Sequence, residues 1–424
     1  YEEEDQLDII QAFNAKNGRG TAYPSWANGA ILGVQGGAEN VTEKYAKVKT
    51  QGAEINAIWI QDWVGKKKTN FGSRLNWTWQ LDTTQYPSID ALKSAHNVKL
   101  LGYINPFFVA DCAYAKEGLS KGYLIQNKDS KKGHFDFGGI DGYMLDMFNP
   151  DARNWMKGII KKNLIQNGFD GWMSDFGEWL DAENMIEGSN DHNRYLDLWI
   201  QLNHEVVSEH NNEMFFFHRS GVNGTAHHTQ LSWLGDQTVD YGLNDGLPSV
   251  INAMRSSGLS GLPPVHSDVG GYSEISIPIL PKVNRTEELL IDWMRLEAFT
   301  PVFRTHEGLS PEHSLQVYSN DSIARQYAYL TKINKALLPY FDSLITAYKE
   351  TGTPIFRDPI LMGENSHQAY EVYVGEDILI RYSENPLETK EGFVEFEQKM
   401  NKVHVFIKQN SSAHKLITQL MRSN

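Results

Sequence analysis

Cysteine is almost absent from the 424 residues: Cys112 stands alone, which excludes an internal disulfide and any zinc site built on cysteine thiolates. Its expected role is packing. No run of 18 apolar residues occurs, so no stretch of sequence is long enough to span a bilayer as a helix. Positive charge is scarce as well. Lys and Arg number 39 against 53 Asp and Glu, a formal net charge of −14, and no basic stripe tracks a phosphate backbone. Nucleic acid is therefore not an expected partner. The one dense basic run, Lys66-Lys67-Lys68 with Arg74 close behind, is expected to be a solvated loop face lying beside other candidate site residues.

A recognisable signal peptide is missing too. The chain opens Tyr1-Glu2-Glu3-Glu4-Asp5 without an initiator methionine, as a processed or partial sequence would. Six Asn-x-Ser/Thr sequons, at Asn40, Asn76, Asn223, Asn284, Asn320 and Asn410, exceed the roughly four that chance would place. They lean the expected location toward a secretory route, extracellular or lysosomal, over the cytoplasm.

What is present is an ordinary globular composition, 41% hydrophobic and 22% charged, at a length that suits one barrel and a small appendage. Short apolar runs alternate with amphipathic stretches from Gly29 onward, the pattern of βα units around a parallel sheet. Eight candidate strands follow: Ala30–Val34, Ala57–Gln61, Lys99–Asn105, Gly171–Asp175, Met214–Phe217, Ser232–Gly235, Pro264–Asp268 and Val302–Thr305. Helices are expected at Asp151–Asn167, opened by Asn149-Pro150-Asp151, at Arg194–Ser208 and at Ser322–Lys349. After Thr353 the chain turns to short strands in polar turns. The expected fold class is α/β, a (β/α)8 TIM barrel over residues 29–350, preceded by an extension at 1–28 and followed by a small β-rich domain at 351–424.

Working residues of such a barrel lie where strands end. That rule selects Gln35 after the first strand, Gln61 and Asp62 after the second, Asp175 after the fourth and Arg219 after the fifth. It then selects Asp236 after the sixth, Asp268 after the seventh, and Arg304 with His306 at the eighth. Asp175 and Asp236 each end an apolar, tryptophan-bearing strand, a costly place for a charge without a task or a partner. On strands four and six they are expected to face one another across the barrel mouth. Paired carboxylates are what glycosidic cleavage needs, one to attack the anomeric carbon and one to protonate the leaving oxygen. Tryptophans beside strand ends, Trp59, Trp63, Trp77, Trp79, Trp172, Trp179 and Trp233, offer faces on which sugars stack, and Trp172 is taken as a sugar contact.

Four motifs in order now resemble glycoside hydrolase family 31, and within it the sulfoquinovosidase branch. They are Trp172-Met173-Ser174-Asp175-Phe176-Gly177-Glu178, Trp233-Leu234-Gly235-Asp236, His266-Ser267-Asp268-Val269-Gly270-Gly271 and Arg304-Thr305-His306. The resemblance implies Asp175 as nucleophile, Asp236 as acid/base, and Asp268, Arg304 and His306 lining the subsite of the sugar being cleaved. Gln35, Gln61, Arg74, Trp77 and Tyr272 stand in contexts that resemble those gripping a sulfonated sugar. Chemistry agrees: Arg74 supplies the cation, Trp77 an indole N–H, Tyr272 a held water, and Gln35, Gln61 and Asp62 the ring-hydroxyl contacts.

A retaining double displacement is then expected, with carboxyl groups about 5–5.5 Å apart and neither metal nor organic cofactor. The partner implied is a small sulfonated glycoside, either sulfoquinovosyl glycerol or the related diacylglycerol lipid. Two alternatives stay open: a family 31 hydrolase acting on a neutral sugar, and a non-catalytic carbohydrate-binding or assembly protein. Family members carry an N-terminal β-sandwich, so a homo-oligomer or association with a separate N-terminal domain is also expected.

Overall fold

Parallel strands covered on both faces are rich in apolar residues, and several short segments of this chain meet that demand. Gly29–Gly33, Gly171–Ser174 and Phe215–His218 are buried at every position. The computed structural model describes residues 5–69, 72–125, 134–136, 139–180, 191–210, 213–221, 224–274, 283–309, 311–364, 370–397 and 401–423. Eight strands form its main sheet: β1 (Gly29–Gly33), β2 (Ala57–Trp59), β3 (Lys99–Ile104), β4 (Gly171–Ser174), β5 (Phe215–His218), β6 (Leu231–Trp233), β7 (Val265–His266) and β8 (Val302–Arg304). Their order is β7-β6-β5-β4-β3-β2-β1-β8. Just past the ends of β7 and β8, a parallel bridge between Val269 and Thr305 joins the two outer strands. The fold is the expected (β/α)8 barrel.

All eight strands fall within the expected segments or one residue outside them. Two residues show how tightly they are set. A Cβ on Gly171 would lie 2.1 Å from the Phe215 carbonyl oxygen, so only glycine lets β4 approach β5 this closely. Asn149 caps the helix Pro150–Asn163, its Oδ1 accepting from the Asp151 amide at 2.9 Å, with Pro150 at the first turn. The helix expected to run on to Asn167 stops at Asn163, and a 3₁₀ turn, Ile165–Asn167, ends at left-handed Gly168. Helices His192–His210 and Asp321–Thr351 run slightly longer than expected. Among the described residues no helix is long and apolar enough to cross a membrane.

Internal contacts gather the residues into two compact units. One comprises 1–33, 43–57 and 230–424; the other comprises 34–42 and 58–229. The first holds a separate antiparallel sheet of β9 (Phe356–Arg357), β10 (Glu371–Val374), β11 (Ile378–Tyr382), β12 (Phe393–Glu395) and β13 (Val403–Lys408), in the order β9-β10-β11-β13-β12. Tyr373, Leu379 and Phe406 form a buried cluster on it, with Phe393 packed alongside.

The second unit adds two features absent from the sequence reading. Lys66–Thr69 is a strand rather than a loop face, paired antiparallel with Gly72–Leu75. A three-stranded sheet of Phe107–Val109, Asp141–Met144 and His134–Asp136 follows β3. Cys112 is buried at the start of the helix Ala113–Lys121, its sulfur accepting from the Ala115 amide at 3.3 Å. The Asn223 sequon lies outside the described residues.

Candidate active site

In the second unit, β4 runs between β3 and β5 in register, Ile104 and His218 both opposite Ser174. The next residue, Asp175, still donates its backbone N–H to the Ile104 carbonyl at 2.8 Å. Phe176 then takes a left-handed φ of 62°, a conformation costly for an aromatic residue and found where geometry is imposed by function. The turn lets the Phe176 amide donate back to Asp175 Oδ1 at 2.7 Å. Tyr103 Oη donates to Oδ2 at 2.5 Å, and Arg219 Nη1, just after β5, lies 3.3 Å from Oδ1.

Burial pushes the Asp175 carboxyl above its ordinary range, while Arg219, Tyr103 and the Phe176 amide pull it back. Arg219 is itself placed: its Nε donates to Glu178 at 2.9 Å and its guanidinium lies 4.6 Å from the Phe176 ring. Ser220 Oγ donates to the other Glu178 oxygen at 2.8 Å. The result is a buried carboxyl, the residue 7% exposed, with a donor already placed on each oxygen.

Trp77 stacks on Phe107 at 5.4 Å and meets Phe176 edge-on at 5.8 Å, so it belongs to the same aromatic cluster. Trp179, 45% exposed, closes that cluster against Phe176 at 5.0 Å. Trp172 departs from expectation. It is fully buried, and its indole N–H donates to Asn203 on the helix His192–His210 at 2.8 Å, so the ring packs in the interior and offers no face to a sugar.

Gln35 and Asp62 are linked through one loop, Asp62 accepting from the Gly36 amide at 3.0 Å and from Tyr86 Oη. Asp62 is 1% exposed, while Gln61 beside it is half-buried. Arg74 sits on the hairpin strand Gly72–Leu75 directly opposite Lys67. Two like charges facing one another across an antiparallel pair destabilise it, and only Asp111, 3.7 Å from Lys67, offsets them among the ion pairs of the described residues.

In the first unit, β6 ends at Trp233 and Asp236 follows left-handed Gly235, exposed to solvent. The turn after it accepts both the Tyr272 and Ser273 amides at the Gln237 carbonyl, each 2.9 Å, and Ser273 Oγ donates to the Asp236 carbonyl at 3.1 Å. Gly271 comes so close that a Cβ would lie 2.8 Å from the Thr238 carbonyl oxygen. Tyr272 is thereby tied to the segment that carries Asp236, and its ring meets His306 edge-on at 4.8 Å.

Asp268 and Arg304 form an ion pair with 1% and 0% of their side chains exposed. Arg304 Nε also donates to His266 Nε2 at 2.8 Å, and burial, then the arginine's charge, holds that imidazole neutral, well below the ordinary histidine range. Arg285, buried, donates to the carbonyls of Gly270 at 2.8 Å and His306 at 2.9 Å, which fixes the loops bearing Tyr272 and His306.

Tyr103 and Arg285 are partners not apparent from the sequence, whereas Glu178 closes the motif that carries Asp175. Tyr103 shares a strand face with Leu101 and Asn105 by alternation, and a polar tip at the end of β3 is the signal that would have found it. Among the described residues no group of three or more His, Cys, Asp or Glu side chains could hold a metal ion.

A strand-end carboxylate is thus held by an arginine from the following strand on a (β/α)8 barrel, and sequence comparison identifies the family. Residues 21–344 match the family description "Glycosyl hydrolases family 31 TIM-barrel domain", and the chain belongs to glycoside hydrolase family 31. Among its relatives, a sulfoquinovosidase of Agrobacterium fabrum is 37% identical over 388 residues, which is 88% of this chain and 58% of that protein. A sulfoquinovosidase of Escherichia coli is 34% identical over 390 residues, 88% of this chain and 56% of that protein. The chain thus spans a little over half the length of these relatives. A solved family 31 sulfoquinovosidase from E. rectale, in complex with an aza-sugar inhibitor, superposes with a TM-score of 0.90 at 30% identity, covering 99% of this chain and 68% of that one.

Proposed function

We propose that the chain is the catalytic barrel of a retaining α-glycosidase that cleaves α-sulfoquinovosides. Asp175 attacks the anomeric carbon while Asp236 protonates the aglycone oxygen. A water activated by Asp236 then hydrolyses the covalent glycosyl-enzyme. The environments of the two residues support these roles. Asp175 has a donor on each oxygen to hold it as an anion, whereas Asp236 is exposed and able to exchange its proton with solvent.

Lys67 opposite Arg74 is the observation that carries the sulfonate reading, because a tetrahedral anion turns their mutual repulsion into attraction. Trp77 adds an indole donor, Tyr272 a water-holding hydroxyl, and Gln35, Gln61 and Asp62 the hydroxyl contacts. Asp268, Arg304 and His306 belong to the subsite of the sugar being cleaved. Sulfoquinovosyl glycerol and its diacylglycerol lipid are the substrate class read here, in line with the relatives' activity.

Hydrolysis of a chromogenic α-sulfoquinovoside is expected to exceed that of the matching α-glucoside, with the first product released as the α-anomer by proton NMR. Preference for the glucoside would overturn the sulfonate assignment. Release of the β-anomer first would overturn the double displacement.

A further inference from the structure

Strand β7 is two residues long, and its ladder with β6 ends where His266 pairs with Trp233. The Ser267 amide, next in line and immediately before Asp268, finds its acceptor in a side chain instead. Glu297 Oε1 takes the Ser267 amide at 3.0 Å and the Ser267 hydroxyl as well, and that hydroxyl oxygen accepts from Trp293 Nε1 at 2.8 Å. Thr300 Oγ1 donates to Glu297 Oε2 at 2.8 Å. Glu297, Ser267, Thr300 and Trp293 have no exposed surface.

This is a poor place for a carboxylate. It is buried, and it ends the helix Glu287–Glu297, where the partial negative charge of the helix terminus opposes it. A glutamine would keep the acceptor for the Ser267 amide and hydroxyl without either cost, with its N–H₂ in place of the oxygen that accepts from Thr300. We propose that Glu297 is a positioning residue for the Asp268–Arg304 pair, holding the Ser267–Asp268 backbone and sharing the charge of Arg304. The inference rests on the reading of Asp268 as a sugar-binding carboxylate.

Burial pushes Glu297 up to about 7, against the pull of Ser267, Thr300 and Arg304. The hydrogen-bond pattern accepts either protonation state. Thr300 Oγ1 also lies 3.0 Å from the Glu297 carbonyl and 3.1 Å from that of Val302, so it can turn its own proton there and accept one from Oε2. Both states keep the same heavy-atom geometry and differ by one charge. The charged and titratable groups facing that charge are Arg304 on β8, and His266 and Asp268 on and after β7, of which His266 is neutral. With Glu297 ionised, Arg304 feels the charge of a second carboxylate besides its direct partner Asp268, and Asp268 keeps more of its acceptor strength for a sugar hydroxyl.

The test is the pH profile of the Glu297→Gln variant from about pH 5.5 to about pH 8.5 on both chromogenic glycosides. Wild-type KM on the preferred glycoside is expected to fall through neutrality as Glu297 ionises. In the variant KM stays flat and is roughly fivefold higher above neutrality, with kcat little changed. A variant that keeps the wild-type KM profile overturns the inference. Should Glu297→Gln not fold, Thr300→Val removes a donor to the ionised form and must move the KM step to higher pH; an unmoved step is equally fatal.

A second arm is independent of turnover. The raised folded-state pKa makes Glu297 cost stability as pH rises from the ordinary carboxylate range through about 7. The Tm of Glu297→Gln relative to wild type should therefore climb over that window, and a constant difference counts against the proposal. A wild type that hydrolyses neither glycoside sinks the functional reading, and the inference then stands or falls on this arm.

Discussion

The same device occurs twice in the barrel, with opposite consequences. Asp175 after β4 is met by Arg219 after β5, and Asp268 after β7 is met by Arg304 at the end of β8. The first pair is loose, 3.3 Å apart, and Arg219 divides itself between Asp175 and Glu178. The second is closed: both side chains are buried and Arg304 takes His266 as its second partner. Parallel strands in register place neighbouring strand ends side by side, so a carboxylate and an arginine on consecutive strands meet without further design. How much of the arginine is spent elsewhere then decides whether the carboxylate is kept reactive or held still.

The largest effect separates the two at once. Asp175→Asn is expected to lower kcat by about 10⁴-fold or more while the fold and Tm are retained, since the amide can still accept from Tyr103. Turnover near the wild-type level would remove Asp175 from the chemistry. Arg304→Met should show the reverse order of damage. It leaves Asp268 buried without its cation, a loss of about 3–5 kcal/mol in urea unfolding. Arg219→Met, at a side chain 15% exposed against none for Arg304, is expected to cost less stability than Arg304→Met but about 10²-fold in kcat. If the two arginine variants lose stability equally, the contrast between an open and a closed pair is wrong.

Next in size is Tyr103→Phe. Tyr103 donates to the charged form of Asp175, so its removal raises that carboxyl further above the ordinary range, where burial already holds it. Attack needs the ionised acid, and the acidic limb of kcat/KM must therefore move to higher pH. A loss of about 10-fold in kcat/KM near neutrality should accompany it. A limb that stays in place would mean that a group other than Asp175 sets it.

Most of the barrel was legible because each strand is a compact apolar run ending in a charged or amide residue, as in Gly171-Trp172-Met173-Ser174-Asp175. Glycines and an Asn-Pro start marked the joints. The paired strands Lys66–Thr69 and Gly72–Leu75 were not legible, since Lys66-Lys67-Lys68-Thr69 has no apolar alternation, and its strand character comes from pairing alone. Trp172 was misplaced for a related reason. Every residue of β4 is buried, so composition cannot tell the face toward the barrel axis from the face toward Asn203. The carboxylates proposed for the chemistry could be read from strand ends, but the groups that contact them could not. Tyr103, Arg285 and Glu297 are residue types that usually pack or solvate, and only the folded chain brings them to Asp175, the Gly270–Gly271 turn and Ser267.

The smallest effect tests the other charged pair, the like-charged one. Lys67 and Arg74 repel across the hairpin when no anion is present, so Lys67→Ala should leave stability unchanged or slightly improved. With a sulfonated substrate the sign reverses. Losing exposed Lys67 beside half-buried Arg74 should raise KM about two- to fivefold with kcat unaltered, and added salt should shrink the difference, because exposed charges are screened within about 10 Å at 0.1 M. The α-glucoside supplies the internal comparison, since a neutral sugar gives Lys67 nothing to attract and its KM should not move. An equal change on both glycosides would show that Lys67 shapes the hairpin rather than the charge around Arg74.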